Sequence, residues 1–134
     1  MQAAFEDIQR LAAGRWPDAC SSAGDQCFTL DAGAFRAEFF RAPGDPAGDV
    51  CVRAKVLDLG GVRRAGAFAV AAVQGNYFWG GTRGATLSLG SDNALWLTER
   101  REAAELADAE SLEACLADFA LTIDDWRERS ALYA

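Results

Sequence analysis

The first apolar residues of the chain recur at helical intervals, and they are Phe5, Ile8, Leu11 and Ala12. Gly14 and Pro17 then interrupt the pattern, because glycine weakens a helix and proline cannot continue one. This spacing predicts a first helix over residues 3–13. The Ser-, Gly- and Asp-rich stretch at 18–25 predicts a loop.

The next part of the chain has the two-residue period of extended strands. Runs at 26–30, 34–41 and 50–59 are strand-like, and turn signals at 31–33 and 43–48 separate them. In the two longer runs one side is mainly apolar and the other carries charged residues. The pattern predicts an antiparallel meander with one face toward water.

The segment 62–79 is ambiguous on local grounds. Gly66 and Gly75 each cost a helix about 1 kcal/mol relative to alanine. Five alanines within 65–72 nevertheless favour a helix, and their small side chains would let another helix approach closely. We therefore predict a helix that the glycine pair at 80–81 ends.

Two strands and a long helix complete the predicted domain. The runs 85–89 and 94–101 alternate around a turn, and Asp108 is a suitable N-cap for the last helix. The apolar stripe of that helix consists of Leu112, Leu116, Phe119, Ile123 and Trp126. The predicted fold is a single α+β domain over 1–134, with an antiparallel sheet and the order α-β-β-β-α-β-β-α.

Composition and charge narrow the partners. The 134 residues are 51% hydrophobic and 25% charged, as in a globular domain. Because the net charge is -7, neither nucleic acid nor an anionic membrane is an expected partner. The longest clean apolar stretch, 67–73, is too short to span a bilayer, so no membrane insertion is expected. The excess negative charge falls on 102–134, as a solvated helix face or as a surface that attracts a basic partner.

The sequence offers little for covalent catalysis or for metal binding. It has no histidine, so a nucleophile would lack its usual base and zinc its commonest nitrogen ligand. The four cysteines form no Cys-x-x-Cys pair and are expected to be reduced thiols. Asp124 and Asp125 diverge by about 100° on a helix, and 75–82 imitates a phosphate-binding loop without its lysine. We expect no cofactor and no metal.

Two bulky residues stand on faces that the alternation assigns to water. Phe40 falls on the same side as Arg36 and Glu38, whereas Trp96 points away from the side of Leu95. The two rings form either a second layer of core or a docking surface for another polypeptide. The second helix is likewise either fully buried or part of a subunit interface.

The most specific block of the sequence joins QGNYF at 74–78, GGT at 80–82 and GATLSL at 84–89. The strand ALWL at 94–97 and a final acidic helix that bears Leu116, Phe119 and Trp126 follow it. With the small size, the low pI and the predicted element order, this block resembles the class I type III secretion chaperones, also called the Tir chaperone (CesT) family. The resemblance extends over nearly the whole chain.

This resemblance implies a cytosolic homodimer, without a cofactor, that binds the N-terminal region of a secreted effector. Such a chaperone holds the segment extended and keeps it soluble and competent for export. The family's dimer interface, carried over to the second helix here, gives the candidates Phe68, Val70, Val73 and Tyr77. Its effector-binding patches, on helix one and the exposed sheet faces, give the candidates Phe5, Ile8, Leu11, Phe40 and Trp96.

Two other functions remain open on the residues alone. A small enzyme that acts through carboxylates near 80–84 would need a concave polar pocket with raised carboxyl pKa values. An acidic adaptor or immunity-like protein would capture a folded basic partner, and its binding would weaken at high ionic strength. An export chaperone predicts exposed apolar surfaces instead.

Overall fold

Three helices and six strands make up the domain in the computed structural model, which describes residues 5–22, 24, 26–42, 49–77 and 80–134. The helices are α1 (Phe5–Arg15), α2 (Ala65–Gly75) and α3 (Ala109–Ser130). The strands are β1 (Cys20–Ser22), β2 (Cys27–Asp31), β3 (Arg36–Arg41), β4 (Val50–Asp58), β5 (Thr86–Leu89) and β6 (Ala94–Arg101). Short 3-10 turns lie at 59–61, 103–106 and 131–133.

The strands form one antiparallel sheet in the order β1-β2-β3-β4-β6-β5. The chain passes from β4 through α2 to β5, so β6 pairs with β4 and β5 becomes an edge. The register aligns apolar residues on one face, as in the row where Ala54 lies opposite Leu97 and Leu97 opposite Leu87. The predicted α+β fold with an antiparallel sheet is confirmed.

The helices pack on that apolar face, and no element among the described residues covers the other face of the sheet. The largest side chains of the shared core are Phe5, Phe28, Phe39, Phe68, Phe119 and Trp126. The rings of Phe28 and Phe39 stack with centroids 4.8 Å apart, and Phe5 of α1 packs on Phe28 at 5.5 Å. Each such side chain contributes about 1.5–3 kcal/mol by leaving water.

The α2 and α3 helices approach closely at a glycine. A Cβ atom added at Gly75 would lie 2.4 Å from the Trp126 ring, so only glycine fits there without a shift. The indole Nε1 of Trp126 also donates a hydrogen bond to the Gly81 carbonyl, at 2.9 Å. The helix-breaking tendency of Gly75 is therefore offset by the close packing that it allows.

The structure differs from the predicted elements mainly in two places. β1 lies inside the predicted loop at 18–25, because Cys-Ser-Ser pairs through its backbone although it has no apolar alternation. α2 spans 65–75 rather than 62–79; positions 78 and 79 lie outside the described residues. The predicted cap is confirmed, since the Asp108 side chain accepts a 2.7 Å hydrogen bond from the Ser111 backbone N–H.

Candidate functional site

The uncovered face of the sheet carries two aromatic rings with a cation between them. Phe40 lies on β3 and Trp96 on β6, and Arg53 on β4 lies diagonally between the two. The guanidinium carbon of Arg53 is 5.6 Å from the Phe40 ring centroid and 4.9 Å from that of Trp96. Arg53 also forms an ion pair with Glu38, its neighbour in the register. The cation therefore joins both rings into one surface, which we call the aromatic sheet face.

The Trp96 ring is fixed on this face from several sides. Its Nε1 donates a 3.1 Å hydrogen bond to the Asp92 carboxylate, which lowers the pKa of Asp92. Lys55 Nζ lies 5.5 Å from the ring centroid and 3.3 Å from the second Asp92 oxygen. A Cβ atom at Gly90 would come within 2.7 Å of the indole nitrogen, so the turn needs glycine beneath the ring. The ring is held in place before any partner arrives.

The structure divides the predicted effector-binding residues into surface and core. Leu11, Phe40 and Trp96 are partly exposed. Phe5 and Ile8 are 0% exposed, because the apolar side of α1 packs against the sheet. These two side chains are core residues that a partner cannot reach in this fold, so the candidates that remain are Leu11, Phe40 and Trp96.

The outer side of α2 is a second apolar surface. Phe68 is fully buried against Trp126 and Tyr133, so it belongs to the core and not to an outward-facing interface. The exposed large side chains are Val70 (58%), Val73 (61%), Tyr77 (76%) and, on the neighbouring strand, Leu89 (53%). Val70, Val73 and Leu89 line an almost wholly apolar groove of about 350 Å³ with Ala69 and Gln74. We call these four exposed residues the α2 face.

The two edges of the sheet differ in their backbone. At the β5 edge, Asn76 acts like a strand residue: its Nδ2 donates to the Leu87 carbonyl at 2.9 Å, and its Oδ1 accepts from the Leu87 N–H at 2.8 Å. At the β1 edge, the backbone carbonyl of Ala19 points toward β2 and accepts a 3.0 Å hydrogen bond from the Asp31 N–H. Because backbone groups alternate in direction along a strand, those of Ser22 point outward.

Several supporting residues could not be assigned a role from the sequence. The strand period places Arg53 and Lys55 on the wet side of β4, but their stacking on rings of β3 and β6 depends on the register. Asn76 belongs to the QGNYF block, yet no local pattern indicates a side chain that imitates a strand. Leu89 falls on the α2 face only because the crossover places β5 beside α2.

Among the described residues, the acidic side chains and thiols are not gathered as a metal site requires. No group of histidine, cysteine, aspartate and glutamate side chains within this part of the chain could hold a metal ion. The pKa values of the Asp92 and Asp108 carboxyl groups are lowered, in each case mainly by a hydrogen bond to the ionised form. In the loop at 80–84, Arg83 donates to Asp125 at 2.9 Å, which ties the loop to α3.

None of the helices within the described ranges has the length and apolar character needed to cross a bilayer.

The chain is similar to known proteins in sequence and in fold. The model of the Tir chaperone protein (CesT) family matches residues 51–127, more than half of the chain. A chain in the solved structure titled "Crystal Structure of the ExsC-ExsE Complex" superimposes with a TM-score of 0.72 at 18% sequence identity. That alignment covers 92% of this chain and 93% of the other, so the likeness in fold extends over both. No curated protein sequence matches the chain. The chain belongs to the Tir chaperone protein (CesT) family, as the sequence block indicated.

Proposed function

We propose that this protein is a bacterial cytoplasmic type III secretion chaperone that binds the N-terminal segment of one or more secreted effectors. The observation that carries the proposal is the aromatic sheet face. Its rings are fixed by Arg53, Lys55 and Asp92, while no described element of the chain covers them. A preorganised amphipathic surface lowers the cost of binding another polypeptide. Membership of the chaperone family supports a secreted protein as that polypeptide.

The client segment binds in extended form, because the sheet offers it an edge. Strand addition combines main-chain hydrogen bonds with pockets for alternate side chains. At the β5 edge, the side-chain amide of Asn76 already hydrogen-bonds the N–H and the carbonyl of Leu87. The β1 edge is therefore the better place for an added strand. Ordering a flexible segment costs several kcal/mol, so the client must also contact the aromatic sheet face.

The chaperone is a homodimer through the α2 face. Val70 and Val73 lie three residues apart on the outer side of the helix, Tyr77 is exposed two residues beyond its end, and α2 carries no charged residue. Gly66 and Ala67 are exposed on the same helix and have small side chains, which would let a second copy approach closely. A twofold interface uses the same patch on both copies, so one self-complementary apolar groove is sufficient.

The acidic last helix keeps the complex soluble. Four of its acidic side chains face solvent, and they are Glu110, Glu113, Asp124 and Glu128. A client segment brings apolar side chains to the surface, and net charge opposes the association that such side chains cause. The negative charge of 102–134 therefore accompanies the chaperone role and needs no basic partner.

The test replaces aromatic residues that the core does not use. Each secreted effector of the host's type III system is co-expressed with the chaperone, and complexes are isolated by size exclusion and mapped by limited proteolysis. We expect a complex that protects an N-terminal effector segment. In the Phe40→Ser/Trp96→Ser variant the affinity should fall about 10- to 100-fold, because interface aromatics carry much of the binding energy.

Leu121→Ser is the matched control, since Leu121 is exposed on α3, away from the sheet. The control should bind the effector as tightly as the unmodified protein, and both variants should keep the far-UV circular dichroism of the parent. Equal affinity of the double variant and the control would contradict the assignment of the aromatic sheet face. Absence of a complex with every effector would contradict the proposed function itself.

A further inference from the structure

A separate groove lies where the end of α1, the start of the β1–β2 pair and α3 meet. Its volume is about 260 Å³. Its lining residues are Trp16, Ala19, Leu30, Asp31, Ala32, Glu113 and Leu116. Five of these seven are apolar, and Leu30 at the base is almost fully buried. The size and lining suit one large apolar side chain.

The groove is continuous with the open edge of the sheet. Ala19 and Asp31, which both line it, are joined by the hydrogen bond that begins the β1–β2 ladder. β1 begins at Cys20, directly after Ala19, and a strand added along its outward-facing Ser22 would start near the mouth of the groove. A side chain near one end of the added strand could therefore enter it.

The charged residues that line the groove are both acidic. Asp31 and Glu113 are exposed, as is Asp18, which directly precedes Ala19. Arg15 contacts this rim, and its guanidinium lies 3.0 Å from the Glu113 carboxylate and 5.3 Å from the Trp16 ring centroid. This ion pair is about half exposed, and such pairs contribute little to stability, so an incoming cation can replace Arg15.

We propose that this groove holds a large apolar side chain of the client that is flanked by lysine or arginine. The inference rests on the proposed function and deepens it by assigning a chemical class to part of the client segment. Negative charge at the rim disfavours acidic neighbours of the anchor residue and favours basic ones. The apolar floor supplies the affinity, and the acidic rim supplies the selection.

The test uses two synthetic peptides of about a dozen residues, long enough for a strand and its flanks. Both carry a central leucine in a Ser/Thr background, with arginines on either side in one and glutamates in the other. Binding to the intact protein is measured by fluorescence anisotropy at low and physiological salt. We expect the arginine peptide to bind about tenfold more tightly, with a smaller advantage at the higher salt.

Variants that neutralise the two carboxylates of the rim test whether its negative charge causes the preference for the arginine peptide. Asp31→Asn/Glu113→Gln keeps the shape of both side chains, and the amide oxygen of the new asparagine can still accept the hydrogen bond that Asp31 accepts from the Gly33 N–H. In this variant the arginine peptide should lose most of its advantage. Asp124→Asn/Glu128→Gln on the outer side of α3 is the control with the same change in net charge, and there the advantage should remain.

A blocking variant tests the floor. Ala32 is exposed in the turn after β2, so Ala32→Trp can fill the groove from its rim without entering the core. It should weaken the arginine peptide about tenfold or more. Equal binding of the two peptides, absence of binding by both, or equal loss in the control pair would overturn the inference. So would a change of oligomeric state in Ala32→Trp, since the groove would then hold a second copy.

The two proposals fail in different ways. If an effector forms a complex that depends on Phe40 and Trp96 but is indifferent to the Ala32→Trp and neutralising substitutions, this inference fails and the proposed function stands. If no effector forms a complex, the proposed function fails whatever the peptides do.

Discussion

The aromatic sheet face and the α2 face both present apolar groups to solvent, but they hold them differently. On the sheet, Arg53 lies against both rings and Trp96 donates a hydrogen bond to Asp92. On the α2 face, Val70 and Val73 stand on a helix without a charged residue, and the exposed Leu89 of β5 lies beside them. The rings on the sheet keep polar and cation contacts while they are exposed to water. The apolar side chains of the α2 face have no such contacts, so burial in an interface would lower their free energy more.

This difference fits two kinds of association. Obligate interfaces between copies of one chain resemble a domain core cut in half, and the α2 face has that composition. Interfaces with exchangeable partners are more polar, with aromatic and arginine side chains at their centre, as on the sheet. The proposed functions follow this difference, with permanent self-association expected at α2 and reversible client binding expected on the sheet.

A charge placed on the α2 face is expected to have the largest effect. Val70→Asp should raise the dimer dissociation constant about 100-fold or more, because an unpaired carboxylate would be buried in each copy of the interface. Sedimentation velocity over a range of concentrations measures the effect. Leu121→Asp is the matched control, since Val70 is 58% exposed and Leu121 54%, both on helices.

The same pair of variants separates the two surfaces. If Val70→Asp makes the protein monomeric, the aromatic sheet face should still be intact, and Trp96 should keep its fluorescence environment. A Val70→Asp protein with the parent's dissociation constant would show that α2 is not the interface. A Leu121→Asp protein that dissociates would place the interface on α3 instead.

A second prediction tests how the inner side of α2 packs against α3. This packing sets the orientation of the helix and therefore the exposure of Val70 and Val73. Gly75→Ala should destabilise the fold by about 1–3 kcal/mol, because its Cβ would overlap the Trp126 ring. Gly14→Ala is the matched control in α1, where the added Cβ meets no atom within 4 Å. It should be neutral or stabilising by up to about 1 kcal/mol, as expected for glycine replaced in a helix.

Chemical denaturation at a fixed protein concentration gives both values. A Gly75→Ala protein as stable as Gly14→Ala would mean that α2 and α3 are farther apart than described. The orientation of Val70 and Val73 toward solvent would then need revision as well.

The sequence predicted the sheet well, because strand alternation reports directly which side of a strand is buried. It placed Phe40 and Trp96 on the open face through that parity alone, and the structure puts them there. It did not separate core from patch on α1, because helical spacing marks an apolar side without saying what covers it. For this reason the sequence made Phe5 and Ile8 binding candidates and Phe68 an interface candidate, whereas all three are buried in the core.

Long-range contacts account for the rest of what the sequence could not indicate. Gly75 reads locally as a helix breaker, and only the position of Trp126, far along the chain, explains it. The amide of Asn76 reaches the backbone of Leu87, an interaction that leaves no mark on hydrophobic periodicity. β1 forms through backbone pairing with β2, so its polar composition did not predict a strand.

The smallest expected effect is a change in the alkylation rate of two cysteines that lie on the aromatic sheet face. Cys27 and Cys51 flank Phe40 in the register, one on each neighbouring strand, and both are partly exposed. Burial raises the pKa of each thiol, and it raises the pKa of the buried Cys115 to about 11. Because the thiolate is the reactive form, iodoacetamide should modify Cys27 and Cys51 slowly near neutral pH and faster as the pH rises, while Cys115 stays unmodified.

Bound effector should slow the alkylation of Cys27 and Cys51 several-fold, since an occupied face excludes the reagent. Val70→Asp should leave both rates unchanged in the absence of effector, because α2 carries no cysteine and lies apart from this face. Peptide mass mapping after timed quenching, in a Cys20→Ser background, gives the rate at each site. If dimerisation alone protected Cys27 and Cys51, the dimer interface and the client-binding surface would overlap. If Cys115 were modified as fast as the other two, the reaction would report unfolding of the protein rather than access to the folded surface. Effector-dependent protection in both the dimer and the Val70→Asp monomer would establish that client binding and self-association use separate faces.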